Sequence, residues 1–175
     1  MQHQALPDEQ WFRAWEPFDT MVSASRYYNS VSWSIPGGSV TVAEPWIAPV
    51  DSEPLDRTLL AFVSHPVFQR WASARGGEHF NTRVAFIESA PPPRVSLGDP
   101  EWDQFMATFA ASAAEAIAAF PATARGVLRK WGFSGHVEVR PGGLVLHVAG
   151  LKPTPDALER LYRGMPELVR AFSGR

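Results

Sequence analysis

Residues 136–148 have the sequence His-Val-Glu-Val-Arg-Pro-Gly-Gly-Leu-Val-Leu-His-Val, and this stretch decides the class of fold. Valine alternates with polar residues before Pro141-Gly142-Gly143, as in a β-strand with one buried face, and a second apolar segment follows the turn. Glycine accepts the positive φ that a tight reversal requires. The stretch therefore predicts a β-hairpin.

The same arrangement occurs earlier in the chain. Val31-Ser32-Trp33-Ser34-Ile35 alternates apolar and small polar residues, Pro36-Gly37-Gly38 provides the turn, and Val40-Thr41-Val42 alternates again. A third pair of strands is predicted over 82–87 and over 103–110, and in the second of these aromatic and alanine residues recur at every second position.

Apolar residues at helical spacing predict a helix after each pair of strands. The first helix runs over 55–71 and is kinked by Pro66, because proline removes a backbone donor. The second begins at Ser112, whose hydroxyl would form a capping box with Glu115. The last begins at Thr154, a helix cap that is followed by proline at the first helical position.

These elements predict an α+β fold in a single domain that spans residues 1–175. We expect an antiparallel sheet of about six strands, built from three successive ββα units, with helices packed on one face. The units span residues 31–75, 80–131 and 135–173. An N-terminal helix over 8–25 precedes them, since its apolar residues form one stripe at helical period.

The two Pro-Gly-Gly hairpins indicate an internal repeat. Residues 35–40 align with 140–145, and the segment that contains Pro66 aligns with the segment that contains Pro166. The alternative is that Pro-Gly-Gly is simply a common turn and proline a common helix kink. The ββα order does not depend on duplication.

The composition excludes several classes of protein. The chain has 175 residues, no cysteine and a formal net charge of −2. Disulfides, thiolate nucleophiles, zinc ribbons and iron–sulfur clusters are thereby excluded, and the near-neutral charge argues against a nucleic-acid binder that relies on a global positive field. The polar amino terminus lacks the pattern of a secretory signal, and no apolar stretch reaches the ~20 residues of a spanning helix. We therefore expect a cytoplasmic protein with neither a membrane nor a nucleic acid as its partner.

Aromatic residues are concentrated near the amino terminus and predict a binding surface. Such side chains supply a large contact area at a low cost in conformational entropy. The alternative is core packing of the N-terminal helix over 8–25 on the sheet, which accounts for part of the set. The candidate residues for binding a ligand or partner are Trp15, Arg26, Tyr27, Tyr28, Trp33 and Trp46, with Arg26 as a polar anchor.

His136 and His147 are the candidate metal ligands, because the predicted hairpin makes them near neighbours on facing strands. Two histidines without a third ligand are more often a surface pair. Asp99, Glu101 and Asp103 alternate as at the start of a calcium loop, but the glycine and the bidentate glutamate of an EF-hand are absent.

No catalytic motif is complete. The sequence Gly132-x-Ser134-Gly135-His136 falls short of G-x-S-x-G, and no glycine-rich loop ends in the lysine and hydroxyl residue of a phosphate loop. We expect no cofactor and no catalytic residue. The alternative is a metal-dependent or acid–base enzyme that combines the two histidines with Asp99, Glu101 and Asp103. A nucleic-acid role would require five arginines to converge on one face, namely Arg57, Arg70, Arg75, Arg83 and Arg94.

The segment from Gly98-Asp99-Pro100-Glu101-Trp102-Asp103 to the strand Gly143-Leu144-Val145-Leu146 resembles an uncharacterised bacterial domain family. Members of this family have a G-D-P-E-F-D-like turn, a strand, a helix and a final hairpin with a helix. The resemblance covers about residues 80–172, supports the strand over 103–110 and implies no activity. Many members are attached to membrane segments, which this sequence lacks.

Taken together, the sequence predicts a bacterial, non-catalytic α+β domain. It would bind a protein partner or a small apolar ligand through an aromatic-rich surface, and it is compatible with a homodimer.

Overall fold

The structure is a computed structural model that describes residues 1–15, 26–46, 57–77 and 92–174, without the side chains of Trp15 and Trp46. The strands among these residues are β1 (Gln2–Gln4), β2 (Arg26–Ile35), β3 (Gly38–Trp46), β4 (Leu60–Ser64), β5 (Ala72–Gly76), β6 (Arg94–Val95), β7 (Met106–Phe109), β8 (Gly135–Arg140) and β9 (Gly143–Val148). The helices are α1 (Glu9–Trp15), α2 (Pro100–Asp103), α3 (Ala113–Ala119), α4 (Ala122–Lys130) and α5 (Pro155–Phe172).

The described strands form one antiparallel sheet of nine strands in the order β1-β2-β3-β4-β9-β8-β5-β7-β6. Both predicted hairpins are confirmed as β2–β3 and β8–β9, and each turns at a glycine with positive φ, Gly37 at 80° and Gly142 at 87°. Since β4 pairs with β9, the two hairpins lie on either side of β4 in the middle of the sheet.

The predicted sheet of about six strands built from three ββα units is wrong. The helix predicted over 55–71 does not form among the described residues 57–71. Residues 60–64 are β4, residues 72–76 are β5, and Pro66 lies in the turn between them. In β4 the side chains of 60–63 are all buried, so this strand is apolar on both faces and lacks the alternation that identifies a strand. Among its described residues, the first predicted unit therefore contributes four strands and no helix.

The second predicted unit is partly confirmed. The strand expected over 103–110 is β7, although α2 occupies its first residue, and the strand expected over 82–87 lies outside the described residues. Ser112 caps α3 by accepting a hydrogen bond of 3.2 Å from the backbone N–H of Glu115. Pro121 divides the helical segment into α3 and α4.

The third unit, β8-β9-α5, forms as predicted. Thr154 caps α5 by accepting a hydrogen bond from the Ala157 N–H, and the helix continues through Pro166 to Phe172. Pro66, which aligns with Pro166, lies in a turn and not in a helix. The two copies of the proposed repeat therefore share the hairpin but not the helix. That the hairpins arose by duplication stays a prediction.

The two faces of the sheet carry different residues. Buried apolar side chains of the central strands pack against α3, α4 and α5 in the main core, and we call this side the helix-covered face. Its members include Val42, Val63, Ala74, Val137, Leu144, Leu146, Ala116, Leu128, Leu161 and Leu168. The opposite side is the second face, where a smaller cluster joins α1 to β2, β3, β4 and β9. That cluster consists of Phe12, Tyr27, Ala43, Leu60, Phe62 and Val145.

Only the start of the predicted N-terminal helix lies in the described part of the chain. It forms α1, and the strand β1 that precedes it was not expected. Phe12 stacks on Tyr27 with ring centroids 4.6 Å apart and meets Phe62 edge-on at 5.2 Å, which fixes α1 on the second face. No helix in the described ranges has the length and apolar character needed to cross a membrane.

Candidate functional site

Five ionisable side chains lie in one row on the second face, and we call them the polar row. They are Arg75, His136, Glu138, Arg140 and His147. His136 is paired with His147 on β9 and with Arg75 on β5, so all three project to the same side of the sheet. The sequence therefore predicted correctly that the two histidines are cross-strand neighbours.

The polar row is buried, since none of its members is more than 9% exposed. Glu138 accepts a hydrogen bond from Arg140 and another, of 3.4 Å, from His136 Nε2. Arg140 Nη1 also donates to the carbonyl oxygen of Ala14 at 3.2 Å, which ties the last turn of α1 to β8. Charges removed from water in this way are tolerated only when they are paired and hydrogen-bonded.

The two histidines are held by different partners. His147 Nε2 lies 2.9 Å from Thr58 Oγ1, whereas Nδ1 of His136 has no hydrogen-bond partner among the described residues. Arg75 places its guanidinium carbon 4.1 Å from the centre of the Phe109 ring. In the part of the chain that the structure describes, no group of three or more His, Cys, Asp or Glu side chains could hold a metal ion.

The carboxylates of the alternative site are held on the helix side of the molecule. Asp99 caps α2 and accepts a 2.9 Å hydrogen bond from Arg125 Nε on α4. Glu101 is paired with Arg129, and Asp103 accepts from Ser96 Oγ at 2.7 Å. These contacts fix the structure around α2.

Trp102 shows on which face of the sheet α2 packs. Its indole donates to Thr108, whose strand partner Ala74 points into the main core. The carboxylates on α2 and the two histidines therefore belong to opposite faces, and the fold does not combine them into one site.

Asp99 carries a perturbed carboxyl group. Burial acts to raise its pKa, but the hydrogen bonds from Arg125 and from the Trp102 N–H, with the nearby charges of Arg125 and Arg129, together lower the pKa below its ordinary value. The group stays ionised and has a structural role at the junction of α2 and α4.

The residues predicted to form an aromatic surface do not share one face. Tyr27 is buried in the small cluster on the second face, whereas Trp33 is buried in the main core with its ring 5.5 Å from that of Tyr162. A regular strand would put positions 27 and 33 on the same side, but a β-bulge between Tyr28 and Val31 inserts one extra residue. The bulge contains Asn29, the described non-glycine residue with positive φ.

The other members of the predicted surface are dispersed. Arg26 is exposed and Tyr28 is half-buried, and the side chains of Trp15 and Trp46 lie outside the described residues. Two tryptophans outside the predicted set are instead exposed, Trp11 at 38% and Trp71 at 53%. Trp71 is the last residue of the range 55–71, over which a helix was predicted and β4 is found instead.

The arginines considered for nucleic-acid binding do not converge among the described residues. Arg75 is buried in the polar row, Arg57 is paired with Glu44, and Arg70 is paired with Glu115. Arg83 lies outside the described residues.

A cavity of about 630 Å³ opens where the end of α4, the open end of the β8–β9 hairpin and the middle of α5 meet, and we call it the groove. Its apolar wall is formed by Trp131, Phe133, Val148, Leu151 and Leu161. Its charged rim is formed by Lys130, Arg160, Arg163 and Glu167. Cations outnumber carboxylates on this rim.

A glycine in the middle of α5 shapes the groove. A Cβ atom at Gly164 would lie 2.8 Å from Cζ2 of Trp131, so only glycine lets the indole lie against the helix. The end of α4 turns at Gly132, whose φ is 60°, and leads directly into Phe133 and β8. These two glycines therefore position the aromatic part of the wall.

The charged rim has one carboxylate that is already engaged. Lys130 Nζ donates to Glu167 Oε1 at 2.9 Å, and this hydrogen bond lowers the pKa of Glu167, with a further contribution from the Trp131 indole. Arg163 is paired with Glu159, one turn earlier in α5. The side chain of Arg160 has no ion-pair partner among the described residues, so its charge is available to a ligand.

Sequence reasoning did not find the groove. Its residues come from three elements that are distant in the chain, and no motif joins them. The most direct signal was Gly164, a glycine in the interior of an amphipathic helix, where it costs stability unless packing requires it.

Comparisons with known proteins give no family for this chain, and the resemblance over residues 80–172 stays a prediction. Protein-family models, curated proteins and solved structures were all compared with the chain, and none of them matches it.

Proposed function

We propose that the protein is a non-catalytic binding domain whose ligand is a small organic anion with an apolar body, and that the groove is its binding site. The observation that carries this proposal is the groove itself, with an aromatic and aliphatic wall beside Arg160, which has no ion-pair partner among the described residues. Its volume of about 630 Å³ lies in the range of small-molecule sites, which are mostly apolar with a few placed polar groups.

The ligand class follows from the two parts of the groove. A carboxylate would pair with Arg160, because guanidinium and carboxylate groups form strong, charge-assisted hydrogen bonds. An alkyl or aryl body would lie against Trp131 and Leu161, where burial of apolar surface stabilises the complex. Glu167 would not repel this ligand strongly, since its charge is balanced by Lys130.

The groove supports a small ligand better than the dispersed aromatic residues support a protein partner. A binding surface needs its aromatic anchors close together and accessible, whereas Tyr27 and Trp33 are buried on opposite faces of the sheet. We propose a cytoplasmic location for this domain. We also propose that its function requires no cofactor, nucleic acid or membrane. A protein partner or a second copy of the chain would be an additional interaction.

Isothermal titration calorimetry with octanoate tests the proposal. Octanoate should bind and uncharged octanamide should bind more weakly. Arg160→Gln should weaken octanoate binding about tenfold, since a hydrogen bond to a charged group contributes ~1.5 kcal/mol or more. The proposal is overturned if octanoate does not bind, or if octanamide binds the native protein as tightly as octanoate does.

Arg26→Gln is the matched comparison, because Arg26 is also an exposed arginine and it belongs to the rival aromatic surface. The groove account predicts that this substitution leaves octanoate affinity unchanged. If octanoate affinity fell with Arg26→Gln but not with Arg160→Gln, octanoate would bind at the β2 surface and not in the groove.

A further inference from the structure

A second cavity lies beside the groove. It has a volume of about 430 Å³ and is lined by Thr123, Gly126 and Val127 of α4 and by Arg170 and Ala171 of α5. Lys130 and Glu167 line both cavities, and they are the residues that the two have in common. The Lys130–Glu167 ion pair therefore stands between the two spaces.

This ion pair is well suited to move. The side chains of Lys130 and Glu167 are 70% and 39% exposed, and exposed pairs of this kind contribute little to stability because water and salt screen them. Both side chains have several rotatable bonds and can keep their hydration when they separate. Parting the pair would join the groove to the second cavity without disturbing the main core.

The second cavity has the chemistry of a site for an apolar chain. Its floor consists of the small or apolar residues Gly126, Val127 and Ala171. The hydroxyl of Thr123 is already engaged, because it donates to the carbonyl oxygen of Ala171. Arg170 also lines this cavity, and its Nε atom already donates to the carbonyl oxygen of Pro166 at 3.2 Å. A methylene chain against Gly126, Val127 and Ala171 would be partly removed from water.

The two cavities, once joined, would form a space along α5 that is long enough for an extended ligand. Arg160 lies at the groove end of α5 and Ala171 lies at the second cavity, so the two are separated by roughly 16 Å along the helix axis at 1.5 Å per residue. An anion held at Arg160 would point its chain along α5 toward Ala171.

We propose that the Lys130–Glu167 ion pair is a movable partition, and that the second cavity is a subsite for the distal chain of long-chain carboxylates. This inference rests on the proposed function of the groove. The protein would prefer palmitate to octanoate, because only the longer chain reaches past the partition.

A substitution at Gly126 can block the second cavity without straining the helix. A Cβ atom built at Gly126 meets no heavy atom within 4 Å, and its φ is not in the left-handed region, so a larger side chain fits the helix without strain. Gly126→Leu should fill the second cavity, and Gly126→Ala is the matched control that adds one methyl group with a similar gain in helix propensity.

Titration calorimetry with octanoate and palmitate, below the concentration at which palmitate forms micelles, tests the inference. The native protein and Gly126→Ala should bind palmitate at least about tenfold more tightly than octanoate, since each added methylene that is buried strengthens binding about twofold to fourfold. Gly126→Leu should lose this preference and keep the native affinity for octanoate.

Lys130→Met tests the partition itself, because it removes the ammonium group and keeps the apolar stem. The ratio of palmitate affinity to octanoate affinity should rise about threefold, since the longer chain would no longer have to separate an exposed ion pair. An unchanged ratio in Lys130→Met, equal affinities for both acids in the native protein, or a palmitate preference that survives Gly126→Leu would overturn the inference. In each of these cases octanoate binding would leave the proposed function standing, whereas failure of both acids to bind would overturn both.

Discussion

At the scale of single residues, the second face of the sheet contains charges that a sequence pattern does not show to be buried. His136, Glu138 and Arg140 alternate with valine, which is the pattern of a strand with one face in water, yet each of these three is at least nine-tenths buried. The hairpin was predictable because its turn and alternation are local signals. The burial of its polar side was not, because it depends on contacts with distant segments such as α1.

Glu138→Gln should lower the free energy of unfolding by about 3 kcal/mol, because it removes one charge from a buried ion pair. Urea unfolding at neutral pH, followed by circular dichroism, measures this change. Glu159→Gln on α5 is the control, since its ion pair with Arg163 is exposed and its loss should cost no more than about 1 kcal/mol. Equal effects of the two substitutions would contradict the account of the polar row.

Gly135→Ala should destabilise the protein by at least about 2 kcal/mol, because overpacking and left-handed strain add together. A Cβ atom at this position would lie 2.1 Å from the carbonyl oxygen of His147, and the φ of Gly135 is 132°. Gly150→Ala is the comparison, with a φ of 70° and open space around the site. If thermal unfolding shows that Gly150→Ala is the more damaging substitution, the packing of β8 against β9 is different from that described.

At the scale of elements, local signals predicted the strands and helices that depend on them. Both Pro-Gly-Gly hairpins, the Ser112 and Thr154 caps and the break at Pro121 all follow from short-range chemistry. The prediction of a helix over 55–71 was wrong for a physical reason. The strand β4 is buried on both faces, and the spacing of its apolar residues fits a helix equally well. The bulge in β2 likewise reverses the face of every residue before it.

The junction between α2 and α4 should make stability depend on pH. The folded pKa of Asp99 is lowered, so its ionised form contributes stability above the ordinary carboxyl pKa of about 3.9, and this contribution is lost as the pH falls through the folded value. Asp99→Asn should therefore be less stable than the native protein at pH 7, by about 1 kcal/mol.

Urea unfolding of the native protein and Asp99→Asn at pH 7, 4 and 2.5 measures the expected convergence. The difference between the two proteins should shrink as the pH falls below about 4. A difference that is constant over this range would contradict the role given to the ionised Asp99. Glu159→Gln is a suitable control, because it also removes one carboxylate charge and the side chain of Glu159 is exposed.

At the scale of the whole molecule, one nine-stranded sheet in the described residues separates two environments. The helix-covered face contains the main core and, at its edge, the groove between α4, α5 and the β8–β9 hairpin. The second face contains α1 and the polar row. The sequence predicted a binding domain but located its site in the aromatic residues near the amino terminus, because clustering along the chain does not establish clustering in space.

The groove as a ligand site is tested most directly by nuclear magnetic resonance, with octanoate titrated into the ¹⁵N-labelled protein. We expect saturable shifts of the Trp131 indole N–H signal and of the backbone amides of Gly132 and Gly164, which line the groove. Residues of the second face, such as Val145, should keep their signals. Shifts that are confined to the second face, or no saturable shift at Trp131, would contradict the account.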